Sequence, residues 1–268
     1  MGLWQSATLR AKSDRGATMT NVSIEGLSLG THLYKEVKQK ILDSLRTGEW
    51  RPGSVIPSEK KLSERFAVSI GTVRKAVDEL SAENVLIRHQ GRGTFVASHG
   101  RGRYFFSFFH VVHQDGVREY PSVDLVAFSR GAADPEVAAA LDLDVGDKTV
   151  RFTNRLSLRG GFVLLDEITL PAALFPGLSE RALRERRSTV YQFYQEHFGI
   201  SVIKAADRVR AACADALRAQ LLEVPKGHPL LHVVRLARSF QDRPVELRHS
   251  YVNTAQHEYA VDLLGDRV

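Results

Sequence analysis

"SEKKLSERFAVSIGTVRKAVDEL", residues 58–80, decides the fold. It holds two short amphipathic helices with almost nothing between them. Ser58 is a good N-cap, and Leu62 and Phe66 follow it at helical spacing as a buried pair. Ser69 caps the next helix, whose apolar stripe is Val73, Ala76, Val77 and Leu80, at i, i+3, i+4 and i+7. Arg74, Lys75 and Asp78 face away from that stripe. The link is only the few residues around Ala67 and Val68, as a helix-turn-helix requires.

Outward toward the N-terminus, Leu33, Val37, Ile41 and Leu45 recur at steps of four and predict a first helix, stopped by Gly48. Pro52, Gly53 and Pro57 break the pattern before Ser58. Toward the C-terminus, a β-run from Val85 to Arg88, a glycine-bearing turn and a second run from Thr94 to Val96 read as a hairpin. Its tip, Gln90-Gly91-Arg92-Gly93, is small and cationic, which suits close approach to a phosphate or a groove floor. A helix lying in the major groove contacts bases with its N-terminal residues, while its first amides hold phosphate. Ser69, Ile70 and Gly71 leave that end open, and Arg74 and Lys75 extend the cationic surface behind it. A core helix with a solvated face explains the stripe. It does not explain the tight turn and the wing together.

Charge agrees with this placement. The chain has 268 residues and a net charge of +6, with twelve cations against eight acids over residues 31–100 and 22 against 21 over residues 101–268. The excess therefore sits where a polyanion is expected to bind. The length suits two modest cores, so two domains are expected. Cys213 is the single cysteine; it makes no internal disulfide and fits no zinc-ligand spacing, which suits a reducing cytoplasm. No apolar run reaches membrane-spanning length, and the opening residues lack a continuous apolar core with a cleavage site. Residues 1–29 are expected to be a disordered tail, in which Met19 is a second candidate start.

Residues 33–96, "LYKEVKQKILDSLRTGEWRPGSVIPSEKKLSERFAVSIGTVRKAVDELSAENVLIRHQGRGTFV", resemble over their full length the winged helix-turn-helix domain of the GntR family of bacterial transcription regulators. The resemblance implies that Lys60 makes a backbone or base contact, that Ser69 and Thr72 hold phosphate, that Arg74 reads a base, and that Gly91, flanked by Gln90 and Arg92, enters the minor groove. Ile70 stands where several relatives carry arginine, which opens a thymine-methyl contact there. The resemblance also implies a homodimer on an inverted-repeat operator, with GT and AC at the outer ends of the half-sites around a TA centre.

Beyond a polar linker at 99–103 the composition shifts to alternating apolar runs. "YFFSFFHVV" is expected to open a strand, followed by strands at "VDLVAFS", "KTVRFTNRLSL", "FVLLDEITL", "LLHVVRLARSF" and "VELRHSYV". Helices are expected near Pro135–Leu141, Thr189–His197 and Asp215–Leu222. The fold class is α+β, with an antiparallel sheet in the second domain. An internal repeat runs through it: a helix, a glycine turn at Gly146 or Gly227, a strand, a polar turn, and a strand bearing Glu167 or Glu246. The repeat is expected to gather Arg155, Glu167 and Glu246 around one cleft.

This second segment, residues 104–268 after a winged domain at 30–98, resembles the UTRA effector-binding domain of the HutC subfamily, related in fold to chorismate lyase. The resemblance implies an effector pocket of Phe108, Arg155, Glu167, Thr189, Tyr191, Glu246 and Tyr251. An arginine grips a carboxylate or phosphate, acids accept donor hydrogens, and aromatics supply an apolar wall. Relatives that sense sugar phosphates carry a second arginine and a hydroxyl residue where this chain has Ser157 and Phe109, so a small carboxylate is the expected ligand. An enzyme is the main alternative. His110, His113, His228, His232, His249 and His257 carry no HExxH pattern or Cys/His cluster, and GxSxG, P-loop and GxGxxG motifs are missing. No catalytic residue, metal or cofactor is expected. A ligand-independent DNA-binding protein is the second alternative. The expected function is that of a cytoplasmic, ligand-responsive transcriptional repressor.

Overall fold

The structure, a computed structural model, describes residues 25–98 and 103–261. Three helices, α1 (Glu25–Arg46), α2 (Glu59–Phe66) and α3 (Ile70–Ala82), are followed by a hairpin of β1 (Leu86–His89) and β2 (Gly93–Val96). Val73, Ala76, Val77 and Leu80 are buried to 1% exposure or less, and Leu62 is fully buried beside them. Leu33 departs from the expected stripe: it is 39% exposed, and Tyr34 is buried instead. Steps of four drift by about 40° per step around a helix of 3.6 residues per turn, so three such steps carry Leu33 off the buried face. Helix α1 also begins at Glu25, inside the stretch expected to be a tail. The remainder of that tail lies outside the described residues, as do 99–102 of the linker.

The second domain is built on a six-stranded antiparallel sheet ordered β4-β5-β6-β9-β8-β7. The strands are β4 (Ser122–Ala132), β5 (Lys148–Leu158), β6 (Gly161–Pro171), β7 (Lys204–Cys213), β8 (Pro229–Arg238) and β9 (Pro244–Val252). Helices α5 (Pro135–Leu141) and α8 (Ala216–Leu222) cover one face, packing on Leu247 and Leu165 respectively. Helices α6 (Glu180–Glu185) and α7 (Val190–Phe198) cover the other, over Phe152, Ile168 and Leu170. Here "YFFSFFHVV" does not form one strand. It forms a short helix, α4 (Arg103–Phe106), and a short strand, β3 (Val111–His113), which pairs with β10 (His257–Tyr259). Phe105 and Phe109 stack at 5.1 Å, and Tyr120 packs on Phe105 at 5.0 Å, so the aromatic run closes on itself.

The internal repeat is visible in this topology, because the sheet order places β4, β5 and β6 opposite β7, β8 and β9. Each half repeats the same local chemistry. Asp134 and Asp215 cap α5 and α8 through the amides of Val137 and Arg218. Gly146 N donates to Ala133 O and Gly227 N to Ala214 O, both at 2.8 Å. These glycines have φ of 97° and 84°, where a side chain is strained. The strands β6 and β9 pair at the centre, with Glu167 opposite His249.

On the face carrying α5 and α8, His232 is 3% exposed. Its Nδ1 accepts from Arg210 Nε at 2.9 Å, its Nε2 lies 3.1 Å from His249 Nδ1, and the Tyr251 ring stacks on it at 4.4 Å. Burial first, then the charge of Arg210, holds its pKa down at about 4 against an ordinary 6.5. The unfolded chain therefore binds a proton that the folded chain refuses. Stability from this group is complete above about pH 6.5 and is lost as pH falls toward 4. The melting temperature of the parent protein is expected to fall through that window, and to fall less in His232→Gln, by calorimetry in matched buffers.

Candidate functional site

Two surfaces collect the chemistry. The first is the front of α3 with the hairpin beside it. The Ser69 side chain accepts from Thr72 N at 3.1 Å and lies 2.8 Å from Thr72 Oγ1, so both hydroxyls cluster at the helix start. Ile70 is 43% exposed there, unusual for an isoleucine, and leaves an apolar contact open to a base methyl. Lys60 is exposed on the first turn of α2, and Gln90, Gly91 and Arg92 are exposed at the hairpin tip. Gly91 has φ of 72° and open space around it, which the tight tip requires.

Glu59 ties these parts together. Arg74 Nε donates to Glu59 Oε2 at 2.9 Å, and Arg88 of β1 donates to Glu59 Oε1 at 2.8 Å and to Asp78 of α3. The wing is thereby fixed against the helix. Such exposed pairs contribute only about 0–1 kcal/mol, so Arg74 is released from Glu59 at little cost.

The second surface is a partly enclosed cavity of about 120 Å³ on the sheet face that carries α7. Phe108, Thr189 and Tyr191 line it. Thr189 caps α7 by accepting from Gln192 N, and Tyr191 points its hydroxyl to Glu246 Oε1 at 2.9 Å. Glu246 is fully buried behind the wall and also accepts from Tyr194 at 2.8 Å. Arg155, Glu167 and Tyr251 are not in this cavity. They face the opposite side of the sheet, where Arg155 stacks on Phe162 at 3.7 Å and pairs with Asp124, Glu167 pairs with Arg218, and Arg218 covers Tyr251 at 3.8 Å. The physical reason is the two-residue period of a strand, by which a shift of one position turns a side chain to the other face. Ser157 lies on that outer face of β5 with Arg155, whereas Phe109 lines the cavity.

The residues brought to the cavity by β5, β6, β8 and β9 are Asn154, Leu156, Asp166, Arg235 and Arg248. Arg248 bridges Asp166 at 3.0 Å and Glu246 at 2.9 Å. Burial opposes its charge, but Glu246, Tyr191 and Asp166 overcome this and hold its pKa well above the usual range. Arg235 is likewise engaged by both oxygens of Asp207, at 2.8 and 2.7 Å, and donates to Phe108 O. Arg186, the C-cap residue of α6, donates to Leu183 O at 2.9 Å and forms no ion pair among the described residues. Burial lowers its pKa and repulsion from Arg248 adds to this, against the opposing influence of Tyr194 and Asp166. Asn154 is 3% exposed, and its Oδ1 has no partner among the described residues. Asn154 and Asp166 were missed in the sequence, although the inward positions Val150, Phe152 and Leu156 on β5 mark Asn154 as their neighbour in phase. Arg186 carries no such signal.

Residues 118–258 match the UTRA domain, and residues 33–96 match bacterial regulatory proteins of the gntR family. The histidine utilization repressor of Pseudomonas putida is 28% identical over 76% of this chain and 81% of its own. A fructoselysine utilization operon transcriptional repressor of Escherichia coli, so named with the qualifier "probable", is 26% identical over 86% of this chain and 94% of its own. Among solved structures, PhnF from Mycobacterium smegmatis superposes with a TM-score of 0.50 at 27% identity, covering 85% of this chain and 99% of that one. The ligand-binding domain of a protein described as a GntR-family regulator from Bordetella bronchiseptica gives 0.57 at 29% identity, covering 58% and 97%.

Tyr194 and Tyr191 supply two of the donors to the buried Glu246 carboxylate. Tyr194→Phe is therefore expected to cost about 1–3 kcal/mol, read as a lower urea midpoint at unchanged slope, because a buried charged acceptor loses a partner.

Proposed function

The chain belongs to the UTRA-domain family, joined to a gntR-family DNA-binding domain, and from that premise we propose that it represses transcription as a homodimer on an inverted-repeat operator until a small carboxylate enters its cavity. The observation that carries this is one chain holding both an open-fronted, wing-flanked helix and a partly enclosed cavity that joins apolar walls to a few charged groups. The reading is supported by two relatives, one named a histidine utilization repressor and one a probable operon transcriptional repressor. Lys60, Ser69, Ile70, Thr72, Arg74 and the tip residues Gln90, Gly91 and Arg92 form the DNA contacts, Arg74 reading a base and Lys60 the phosphates. Two-fold protein symmetry mirrors two-fold operator symmetry, because a single small winged helix offers little specific surface. The effector takes Phe108, Thr189 and Tyr191 from the expected set, and its carboxylate goes to Arg186 rather than Arg155. Catalysis has no part in this function, and the protein acts in the cytoplasm, where the DNA is. No helix among the described residues is long and apolar enough to cross a membrane.

Effector and operator are linked by thermodynamics. A ligand shifts the protein between DNA-binding and released arrangements only by its differential affinity for the two, so DNA weakens ligand binding by the factor by which ligand weakens DNA binding. Three measurements test the proposal. Sedimentation equilibrium should give a dimer free and on DNA. Arg74→Ala should cost about 1–3 kcal/mol on the protein's own promoter and flatten preference at one base pair. Lys60→Ala should instead lower the salt slope of binding by about 1. Equal losses on promoter and random DNA from Arg74→Ala would remove its base-reading role.

A further inference from the structure

The cavity's charges identify the class of molecule that it takes, an inference that rests on its being the effector site. Two of its three arginines are already neutralised: Arg235 by Asp207, and Arg248 by Asp166 and Glu246. Counted with Asp207 and Glu246, which stand behind the lining, that inner wall carries one more acid than base. Arg186, without an ion pair among the described residues, supplies the balancing positive charge from a different element, the segment that leads into α7. The site is thus near neutral in sum but separated in charge, with a cation between α6 and α7 and an excess of acceptors on the sheet. Asn154 and Asp166 are direct partners across β5 and β6, and both line the cavity. The Asn154 carbonyl oxygen is buried without a hydrogen-bond partner among the described residues, a state that is unfavourable unless a ligand donor reaches it. Between these poles the walls are apolar: Phe105, Phe108 and Phe109 on one side, Leu156 and Val190 on others. A phosphate dianion would place two negative charges against a single unpaired cation and beside Asp166. A simple carboxylate would satisfy Arg186 and leave Asn154 Oδ1 without a partner, beside Asp166, whose two oxygens accept from Arg248 and Ser250.

We propose that the cavity binds an α-amino acid with an apolar side chain, its carboxylate on Arg186, its ammonium on Asn154 and Asp166, and its side chain among the phenylalanines.

The test uses the full chain, with thermal shift over the twenty protein amino acids singly and then calorimetric titration. L-Phenylalanine is compared with 3-phenylpropionate, which lacks the ammonium, with phenethylamine, which lacks the carboxylate, and with glucose 6-phosphate. Each truncated analogue is expected to bind at least tenfold more weakly than the best apolar amino acid. Arg186→Gln should erase the preference for phenylalanine over phenethylamine, and Asn154→Leu should reduce the preference for phenylalanine over 3-phenylpropionate. The melting temperature of each unliganded variant reports its folding. The proposal is overturned if no amino acid binds. It is also overturned if 3-phenylpropionate binds as tightly as phenylalanine, which leaves the carboxylate effector standing, or if glucose 6-phosphate binds in place of amino acids, which leaves only the cavity standing. If Arg186→Gln and Asn154→Leu both fold and bind phenylalanine as the parent does, the cavity is not the effector site, and both proposals fall together.

Discussion

Arg248 sits in the middle of the effector domain, held between Asp166 on β6 and Glu246 on its own strand. Two acids around one buried cation form a group in which no member is expendable. Losing one partner of a buried pair costs about 3–5 kcal/mol because the remaining charge stays desolvated. The group therefore fixes the pairing of β6 with β9, the two strands at the centre of the sheet and the seam between its halves. Glu246 extends the constraint outward, because the hydroxyls of Tyr191 and Tyr194 both donate to it. Helix α7 is thereby held by charge-assisted bonds as well as by apolar packing, and its first turn becomes a wall of the cavity. Domain core, sheet register and binding site share one electrostatic centre.

That centre also explains which parts of the molecule were legible in the sequence. Strands β5, β6, β8 and β9 read clearly because each buries a long apolar phase, and α5 matches the expected Pro135–Leu141. The phase itself was misassigned at the site. Arg155 and Glu167 carry the chemistry that a pocket needs, yet Phe152 and Leu156 point inward on β5, so Asn154 points inward and Arg155 does not. On β6, Ile168 and Leu170 place Asp166 inward by the same rule. A register argument on a strand is decided by the apolar neighbours two residues away and not by the identity of the charged residue. Read that way, these two cavity residues were available from the sequence.

Other features had no such signal. Strand β7, "KAADRVRAAC", is an edge strand, mostly exposed, and lacks the alternation by which strands are recognised. The run beginning "YFFSFF" is apolar at nearly every position, so periodicity does not separate strand from helix, and ring stacking decides. Arg186 belongs to a connecting segment between α6 and α7, where neither period applies. By contrast, the DNA-binding half was legible nearly residue by residue from Ser58 to Leu80, because caps, stripe and turn all lie within one local stretch. Locality is the difference: a helix-turn-helix is specified by neighbours, a cavity by residues from strands distant in sequence.

The two halves meet along α7. Its first turn borders the cavity at Val190 and Tyr191, and one turn further Gln195 donates to Ser201 Oγ at 2.8 Å and to the carbonyl of Ala97 at 3.4 Å. Ala97 directly follows β2, the second strand of the wing. Ile203 and Phe240 from the effector domain pack against the winged-domain core as well. These contacts are few beside those within either core, and that scarcity has a physical consequence. An allosteric link needs a free-energy difference of only about 1–3 kcal/mol between two arrangements, which a small interface can supply and a large apolar one would lock. A rigid helix of nine residues, roughly 14 Å long, anchored at one end by tyrosines on a buried carboxylate and touching the base of the wing near the other, gives cavity occupancy a short physical connection to wing position.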